Sequence, residues 1–512
     1  MSERIYKSKN PSDDFIKVKH RGKIFTPDYL VADILDQGHY IEGNINEKHV
    51  IDNSCGDGQF MIQIVDRYCK DFLKRNDNLS ELKKQLETYI HAIEIEKEEL
   101  NVCSSRCEKV ANLYNIYDVN WDFINADTLS EKRYERKMDF VIGNPPYVRV
   151  HNLNDDFESV KNFEFGNGGM TDLYIVFYEI GIRMLNSNGI LCYITPSSFF
   201  TSVAGTNMRK FLNEKLWLES ICDLKHFQPF NAITYTTIVC INKTKKEDTI
   251  EYFGFDENIL KQVKISELSK VDYLINGNYY FSTKDNLNVL RKIINNKNKA
   301  DVAIKNGYAT LADKVFINNF SFESKFIIPV VKASRGIWKK IFFPYDTNGK
   351  LIPEEEIKKD EQMYQYLLSK KEELGGRDNE NESDKFWYAF GRSQAINDTN
   401  KNKIAINALI RESKDLKIID VPAGSGVYSG LYIISNSIDI NDIKNALKEE
   451  EFGIYISLLG KYKSGGYYTF SSKDVKYYLD FKLGKEWFYA YKRTIFRCYK
   501  GFIWIIFIYW YF

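Results

Sequence analysis

Val50-Ile-Asp-Asn-Ser-Cys-Gly-Asp-Gly-Gln-Phe60 reads as a short buried strand that runs into a tight glycine turn and then into a helix. Glycines at 56 and 58 let the backbone turn sharply and let a ligand approach it closely, and the helix that follows offers free N–H groups at its start. The stretch lacks the third glycine of the G-x-G-x-x-G dinucleotide fingerprint, so alone it marks a turn and no more. Its surroundings carry the reading further. Short apolar runs recur at residues 50–54, 89–96, 121–127, 138–144, 189–196 and 236–242, with amphipathic stretches at 60–75, 98–114 and 172–185. Such runs suit strands buried on both faces of a parallel sheet. The alternation predicts a doubly wound, Rossmann-like α/β domain.

In a sheet of that kind the carboxyl ends of the strands share one edge, where ligands bind. Three strand ends carry acids in order: Asp52, Glu94 and Asp127. Glu94 is placed for ribose hydroxyls and Asp127 for an adenine amino group. Each acid alone would serve equally as a helix cap; the ordered set points to a nucleoside ligand. The fourth strand ends Asp139-Phe-Val-Ile-Gly-Asn144-Pro145-Pro146-Tyr147. Two prolines fix the backbone and remove two N–H donors, leaving carbonyls free to accept. Asn144 adds a side-chain carbonyl and Tyr147 an aromatic face, so the loop suits a planar group bearing an NH₂. A ring amine is a weak nucleophile because its lone pair is delocalised. Acceptors at Asn144 and the Pro145 carbonyl hold both N–H bonds and favour the more pyramidal nitrogen of a transition state.

Residues 21–245 resemble the N6-adenine DNA methyltransferases of type II restriction–modification systems, in the TaqI-like subclass whose cofactor motifs precede Asn-Pro-Pro-Tyr. The resemblance rests on Phe25-Thr26-Pro27, on Asp52 through Gly58, on Glu94, Asp127 and Asn144 to Tyr147, and on Phe227-Gln-Pro-Phe230-Asn-Ala-Ile-Thr-Tyr-Thr-Thr. It implies S-adenosylmethionine as methyl donor, held by Thr26, Asp52, Asn53, Ser54, Cys55, Gly56, Gly58, Glu94 and Asp127. The segment Asp172-Leu-Tyr-Ile-Val-Phe177 resembles the helix that supplies an aromatic to the cofactor pocket, here Phe177. Thr128 stands where some relatives carry an aromatic. The resemblance also implies an adenine rotated out of double-stranded DNA, since N6 inside a stacked pair cannot meet the donor methyl in line. Asn144, Pro145, Pro146 and Tyr147 would receive that base. Phe230, favoured over Phe227 by its distance to the next strand, would stack on the other face. A separately encoded cognate restriction endonuclease is the companion implied.

After Lys243 the regular alternation fades, and residues 246–480 are expected to form a mixed α+β target-recognition domain. Residues 1–20 are read as an N-terminal arm and 481–512 as an aromatic and basic tail of uncertain status. Three pieces in the second half resemble the same subclass: Gly307-Tyr-Ala-Thr-Leu-Ala-Asp313-Lys314, Phe343-Pro-Tyr-Asp346 and Phe386-Trp-Tyr-Ala-Phe-Gly391-Arg392-Ser393-Gln394. Arg392 and Gln394 could address guanine or adenine edges; the aromatics beside them fit a packed strand equally well. Gly424-Ser-Gly-Val-Tyr-Ser-Gly430 reads as a turn, and the charged stretch 353–381 as a solvated helix ending in a loop. Lys492, Arg493, Arg497 and Lys500 suit either phosphate contact or a solvated face.

Composition bounds these readings. Lys plus Arg number 71 against 70 Asp plus Glu, so contact with nucleic acid must come from a local patch and not from bulk charge. A 44 % hydrophobic and 15 % aromatic content excludes a disordered chain. Eight cysteines without a Cys-x-x-Cys pair, beside six histidines, lead us to expect neither a zinc site nor a disulfide framework. No apolar leader and no run of about 18 apolar residues occurs, so no membrane span is expected and the cytoplasm is the expected location. The apolar final stretch, 501–512, is too short to span a bilayer and reads as a packed strand or an altered terminus. Rival readings are a protein-glutamine or RNA amine methyltransferase, a bifunctional enzyme that also cuts, and a non-catalytic DNA-binding specificity subunit. The long second half favours duplex DNA, the stretch ahead of Thr26 is too short for a nuclease domain, and the intact Asn144 to Tyr147 loop favours catalysis.

Overall fold

β1 (Val50–Asp52), β2 (Ile90–Glu94), β3 (Asp122–Asn125), β4 (Met138–Gly143) and β5 (Leu185–Pro196) lie parallel, as their apolar runs require. β6 (Leu218–Asp223) and β7 (Thr236–Asn242) pair antiparallel, and β7 also runs antiparallel to β5. With β8 (Thr249–Asp256) and β9 (Lys261–Ser269) they make one nine-stranded sheet in the order β3-β2-β1-β4-β5-β7-β6-β8-β9. The chain leaves β1 toward β2 and β3, then returns to the other side of β1 as β4. That reversal creates the crevice at the carboxyl edge where doubly wound sheets bind ligands. This computed structural model describes residues 25–149, 160–167, 171–230, 234–375 and 386–485. The N-terminal arm, the tail beyond residue 485 and its four basic residues lie outside them.

The connecting helices are α1 (Asp28–Gln37), α2 (Gln59–Leu73), α3 (Leu79–Tyr89), α4 (Lys97–Asn112), α5 (Leu173–Met184) and α6 (Thr206–Lys215). In α2 the residues Phe60, Ile64, Val65, Tyr68, Cys69 and Phe72 recur at helical spacing and are buried. α5 is buried on nearly every side, from Leu173 to Ile182, which explains its lack of a polar face. Two elements escaped the sequence reading. α3 carries only Leu82, Gln85 and Leu86 inward, too thin a stripe to stand out from its charged neighbours. β6 is six residues long and carries Glu219, Ser220 and Asp223 among its apolar positions.

The sheet does not stop near residue 245. β8 pairs parallel with β6 and antiparallel with β9, and the first of two compact units runs to Leu287, the second from Asn288. The polar texture after Lys243 has a local cause. β9 is the outermost strand and shows Lys261, Val263, Lys264 and Ile265 to solvent, and charged residues on an edge discourage pairing with other chains. A short hairpin of β10 (Leu274–Ile275) and β11 (Asn278–Tyr279) follows.

The second unit mixes strands and helices, as expected. One four-stranded sheet joins β12 (Val302–Asn306), β16 (Lys403–Ile406), β18 (Ile418–Val421) and β20 (Leu431–Ser435). Another joins β13 (Ile317–Asn318), β14 (Ile327–Lys332), β15 (Ile337–Phe342) and β19 (Gly426–Tyr428), and β17 (Leu409–Ile410) pairs in a third, small sheet with the strand Tyr467–Thr469. The charged stretch after Pro353 forms three short helices, Glu354–Lys358, Glu361–Leu368 and Lys371–Gly375, and buries Ile357, Met363, Leu367 and Leu374. Its middle is amphipathic where a solvated helix was expected, and the loop expected at its end lies outside the described residues. Among the described residues no helix is long and apolar enough to cross a membrane.

Candidate active site

The parallel strands bring the separated motifs to one edge. Asp52 is the last residue of β1 and is 1 % exposed. Gly143, the last residue of β4, lies against it: a Cβ there would stand 2.5 Å from Asp52 Oδ1. Only glycine lets β4 pass so close, and the next residue is Asn144. The Asp52 carboxylate accepts the Ser54 N–H at 3.0 Å. Burial pushes its carboxyl well above the ordinary range, and the nearby Glu94 charge pushes it further.

Gly56 and Gly58 hold positive φ, +52° and +90°. Nothing lies within 4 Å of a Cβ built on Gly56, so the loop borders open space there. Gly58 is constrained twice over, since a Cβ would sit 2.7 Å from Cys103 Sγ on α4. Glu94 ends β2 and ties this loop down: its carboxylate accepts the Gly56 N–H at 2.9 Å and the Glu96 N–H at 3.0 Å. Sequence reasoning gave Glu94 to a ligand and missed this second task.

Two residues of the loop point inward. Asn53 is fully buried; its Oδ1 accepts from Tyr193 at 2.9 Å and its carbonyl accepts from Thr128 at 2.6 Å. Thr128 thus braces the loop from the end of the third strand. Cys55 is buried with Cys103 and Cys107, and a hydrogen bond to Cys103 together with burial keeps its thiol protonated. The side chains of Asn53 and Cys55 are therefore both engaged within the protein. Asp127, just past β3, is half-buried and its Oδ1 accepts the Leu129 N–H at 2.9 Å.

Asn144 stands at the centre of the edge. Its amide donates to Thr26 Oγ1 at 3.1 Å, and the Ser54 hydroxyl reaches its backbone carbonyl at 3.4 Å. Thr26 is buried, so the leading Thr-Pro motif sits against the Asn-Pro-Pro-Tyr loop and begins α1 there. Tyr147 donates to the Ile194 carbonyl at 3.0 Å, and burial pushes its phenol well up, which keeps it neutral. Its ring meets Phe230 edge to face at 6.4 Å and Tyr174 of α5 at 6.3 Å. Phe227 stacks instead on Phe255 of β8 at 4.6 Å. Phe177, one turn beyond Tyr174, is buried in α5. The aromatic that touches the loop is Tyr174, which shares the same Asp-Leu-Tyr-Ile-Val-Phe run and could have been read from it.

In the second unit the three quoted pieces come together, but as core. Tyr308, Phe343, Tyr345 and Phe390 form ring contacts of 5.2 to 5.6 Å. Gln394 is half-buried and donates one N–H of its amide to the Gly307 carbonyl at 2.5 Å. Arg392 is exposed. Gly424 occupies a turn at φ +81° and leads into β19.

The chain matches the Eco57I restriction-modification methylase family over residues 59–230. It is 27 % identical to the type II methyltransferase M.BstVI of Geobacillus stearothermophilus over 65 % of this chain and 68 % of that protein. It is 23 % identical to the type II restriction enzyme and methyltransferase RM.Eco57I of Escherichia coli, over 73 % of this chain but only 48 % of that protein. Among solved structures, the DNA complex of the type IIL restriction-modification enzyme MmeI shares the fold with a TM-score of 0.58 at 12 % identity, over 90 % of this chain and 64 % of that one.

Proposed function

We propose that this chain, a relative of the type II restriction–modification methyltransferases, transfers a methyl group from S-adenosylmethionine to N6 of an adenine in duplex DNA. The observation that carries the reading is the convergence of Asp52, the Gly56–Gly58 loop, Glu94 and Asn144 at one sheet edge, with Tyr147 and Phe230 beside them. The donor set fits the cofactor: carboxylates for hydroxyl and ammonium groups, and a glycine loop that borders open space. When bound, the cofactor supplies an electrophilic methyl group on a sulfonium.

The protein's own part follows from its geometry. Asp52 is held ready at a buried strand end, and a cationic ligand would offset the burial that raises its carboxyl. Glu94 keeps the loop in shape and can share its carboxylate with ribose hydroxyls. Thr26 acts as a positioning residue, because its hydroxyl takes the Asn144 amide N–H and so fixes the plane of that amide. Asn144 and the Pro145 carbonyl then accept the two N–H bonds of the target amine and draw electron density onto nitrogen. No strong base is needed before attack.

The target must leave the stack to reach this edge. Tyr147 and Phe230 meet edge to face at 73°, so one ring has to turn before a planar base can lie between them. In the second unit, exposed Arg392 is the first candidate for a base or phosphate contact, and half-buried Gln394, which gives one of its two amide N–H bonds to the Gly307 carbonyl, is the second. The methylation would protect cytoplasmic host DNA from a cognate endonuclease.

The test is modified-base sequencing of plasmid DNA after expression in a methylation-free host. N6-methyladenine at one short motif is expected. Unmodified DNA from soluble protein that binds S-adenosylmethionine would overturn the DNA reading in favour of a protein or RNA amine.

A further inference from the structure

Three donor atoms of three chemical kinds meet between the turn that follows α1 and the strands β6 and β7. His39 Nε2 lies 3.0 Å from Glu219 Oε2, Cys240 Sγ lies 3.3 Å from the same oxygen, and all three atoms fall within 4.8 Å of one another. A tetrahedral ion bound at 2.0 to 2.3 Å requires its ligands to stand about 3.3–3.6 Å apart. The two contacts to Glu219 Oε2 are at or just below that spacing, and the third pair lies within 4.8 Å.

The backbone is bent to assemble it. β6 and β7 slip register between Leu218 and Ser220, so Glu219 is the extra residue of a β-bulge, a device that re-aims a side chain. His39 follows the end of α1 in the left-handed region, φ 58°, an uncommon conformation for a residue with a Cβ. Asn242 donates to Glu219 Oε1 at 3.2 Å and so orients the carboxylate with Oε2 toward Cys240 and His39. Cys240 is buried at the bottom, while the His39 and Glu219 side chains are 47 % and 22 % exposed and leave the site open to solvent.

We propose that His39 Nε2, Glu219 Oε2 and Cys240 Sγ form a site for a borderline-soft divalent ion, Zn²⁺ or Co²⁺, with a solvent molecule in the fourth position. A thiol and an imidazole in the set disfavour Mg²⁺ and Ca²⁺. As the metal–sulfur bond forms, the Cys240 proton leaves to solvent and any proton on His39 leaves with it. The ion ties the end of α1 to β6 and β7. The ligands come from three distant segments, which is why no Cys-x-x-Cys or His pair announced them.

The experiment is titration of the chelator-stripped full chain with Co²⁺, followed by absorption. One equivalent with a thiolate-to-cobalt charge-transfer band is expected, bleached by Zn²⁺. Cys240→Ser should remove the band. His39→Ala removes an exposed imidazole ligand and should weaken Co²⁺ affinity at least about tenfold. Absence of the band in the unaltered chain, or affinity unchanged by His39→Ala, overturns the site.

Discussion

Asp52 and Asp398 are both buried aspartates, 1 % and 3 % exposed, and their surroundings treat the charge in opposite ways. At the edge of the first unit, burial pushes the Asp52 carboxyl up, the Glu94 charge adds to it, and the one backbone N–H that it accepts does not offset them. In the second unit, burial of Asp398 is outweighed by Lys305 at 2.6 Å, Lys401 at 2.8 Å and the Tyr432 hydroxyl, which hold its carboxyl down at about 2. An unbalanced buried charge costs stability and persists where a ligand completes it; a balanced one is scaffold. The same contrast separates the aromatic pieces of the two units. Tyr147 and Phe230 sit at the strand ends, whereas Tyr308, Phe343, Tyr345 and Phe390 fill a core.

The largest expected effect tests the scaffold side. Phe390→Ala removes a ring that touches Tyr308, Phe316, Phe343 and Tyr345, and should lower stability by about 3–5 kcal/mol in denaturant unfolding. Arg392→Ala, two residues on, should change stability by less than about 0.5 kcal/mol and weaken DNA binding. If Phe390→Ala left stability intact and altered the DNA sequence methylated, the piece would belong to recognition and the contrast would collapse.

Next comes the functional edge. Asn144→Ala should slow methyl transfer by about 10²–10³-fold, or about 2.7–4 kcal/mol, with cofactor affinity preserved. A folded variant that loses cofactor affinity to the same degree would move Asn144 into the binding site. Thr26→Val keeps the shape but removes the acceptor for the Asn144 amide, so it should reproduce part of the loss in turnover.

A smaller effect distinguishes two phenylalanines three residues apart. Phe230 faces Tyr147 and Phe227 stacks on Phe255. Phe230→Ala should weaken binding of DNA with an unpaired target base by about 1–3 kcal/mol. Phe227→Ala should act on stability instead. Reversed outcomes would show that the ring contact with Tyr147 is packing.

Much of the first unit was legible because its physics is local. Buried parallel strands leave apolar runs, and their carboxyl ends leave Asp52, Glu94 and Asn144 in an order that topology alone brings together. What stayed hidden depends on contacts between distant segments. Thr26 and Asn144 are 118 residues apart, and the brace from Thr128 to the Asn53 carbonyl spans 75. The boundary near residue 245 was misplaced because an edge strand is polar by necessity, and polarity resembles a domain change. In the second unit, the Phe386 to Gln394 run could not be told from a DNA contact, since ring burial follows from Tyr308 and Phe343, far away in sequence.

The smallest effect separates the two aspartates by the sign of a slope. Asp398 titrates at about 2 in the folded chain against an ordinary value near 3.8, so it stabilises the fold at pH above about 4. That contribution is lost as pH falls toward 2. Lys305 and Lys401 are half exposed, so screening limits it to the order of 1 kcal/mol. For Asp52 the folded value is raised, and the ionised carboxylate destabilises the ligand-free fold at neutral pH. The penalty shrinks as pH falls and the group protonates. Asp398→Asn should therefore be less stable than the parent near pH 6, with the gap closing toward pH 2. Asp52→Asn should be more stable near pH 6, with its advantage closing on the acid side, and should bind S-adenosylmethionine more weakly. Urea unfolding of the three proteins across that range measures both gaps. If Asp52→Asn proved less stable than the parent at neutral pH, Asp52 would be a satisfied scaffold residue like Asp398, and the two units would not differ as their carboxylates suggest.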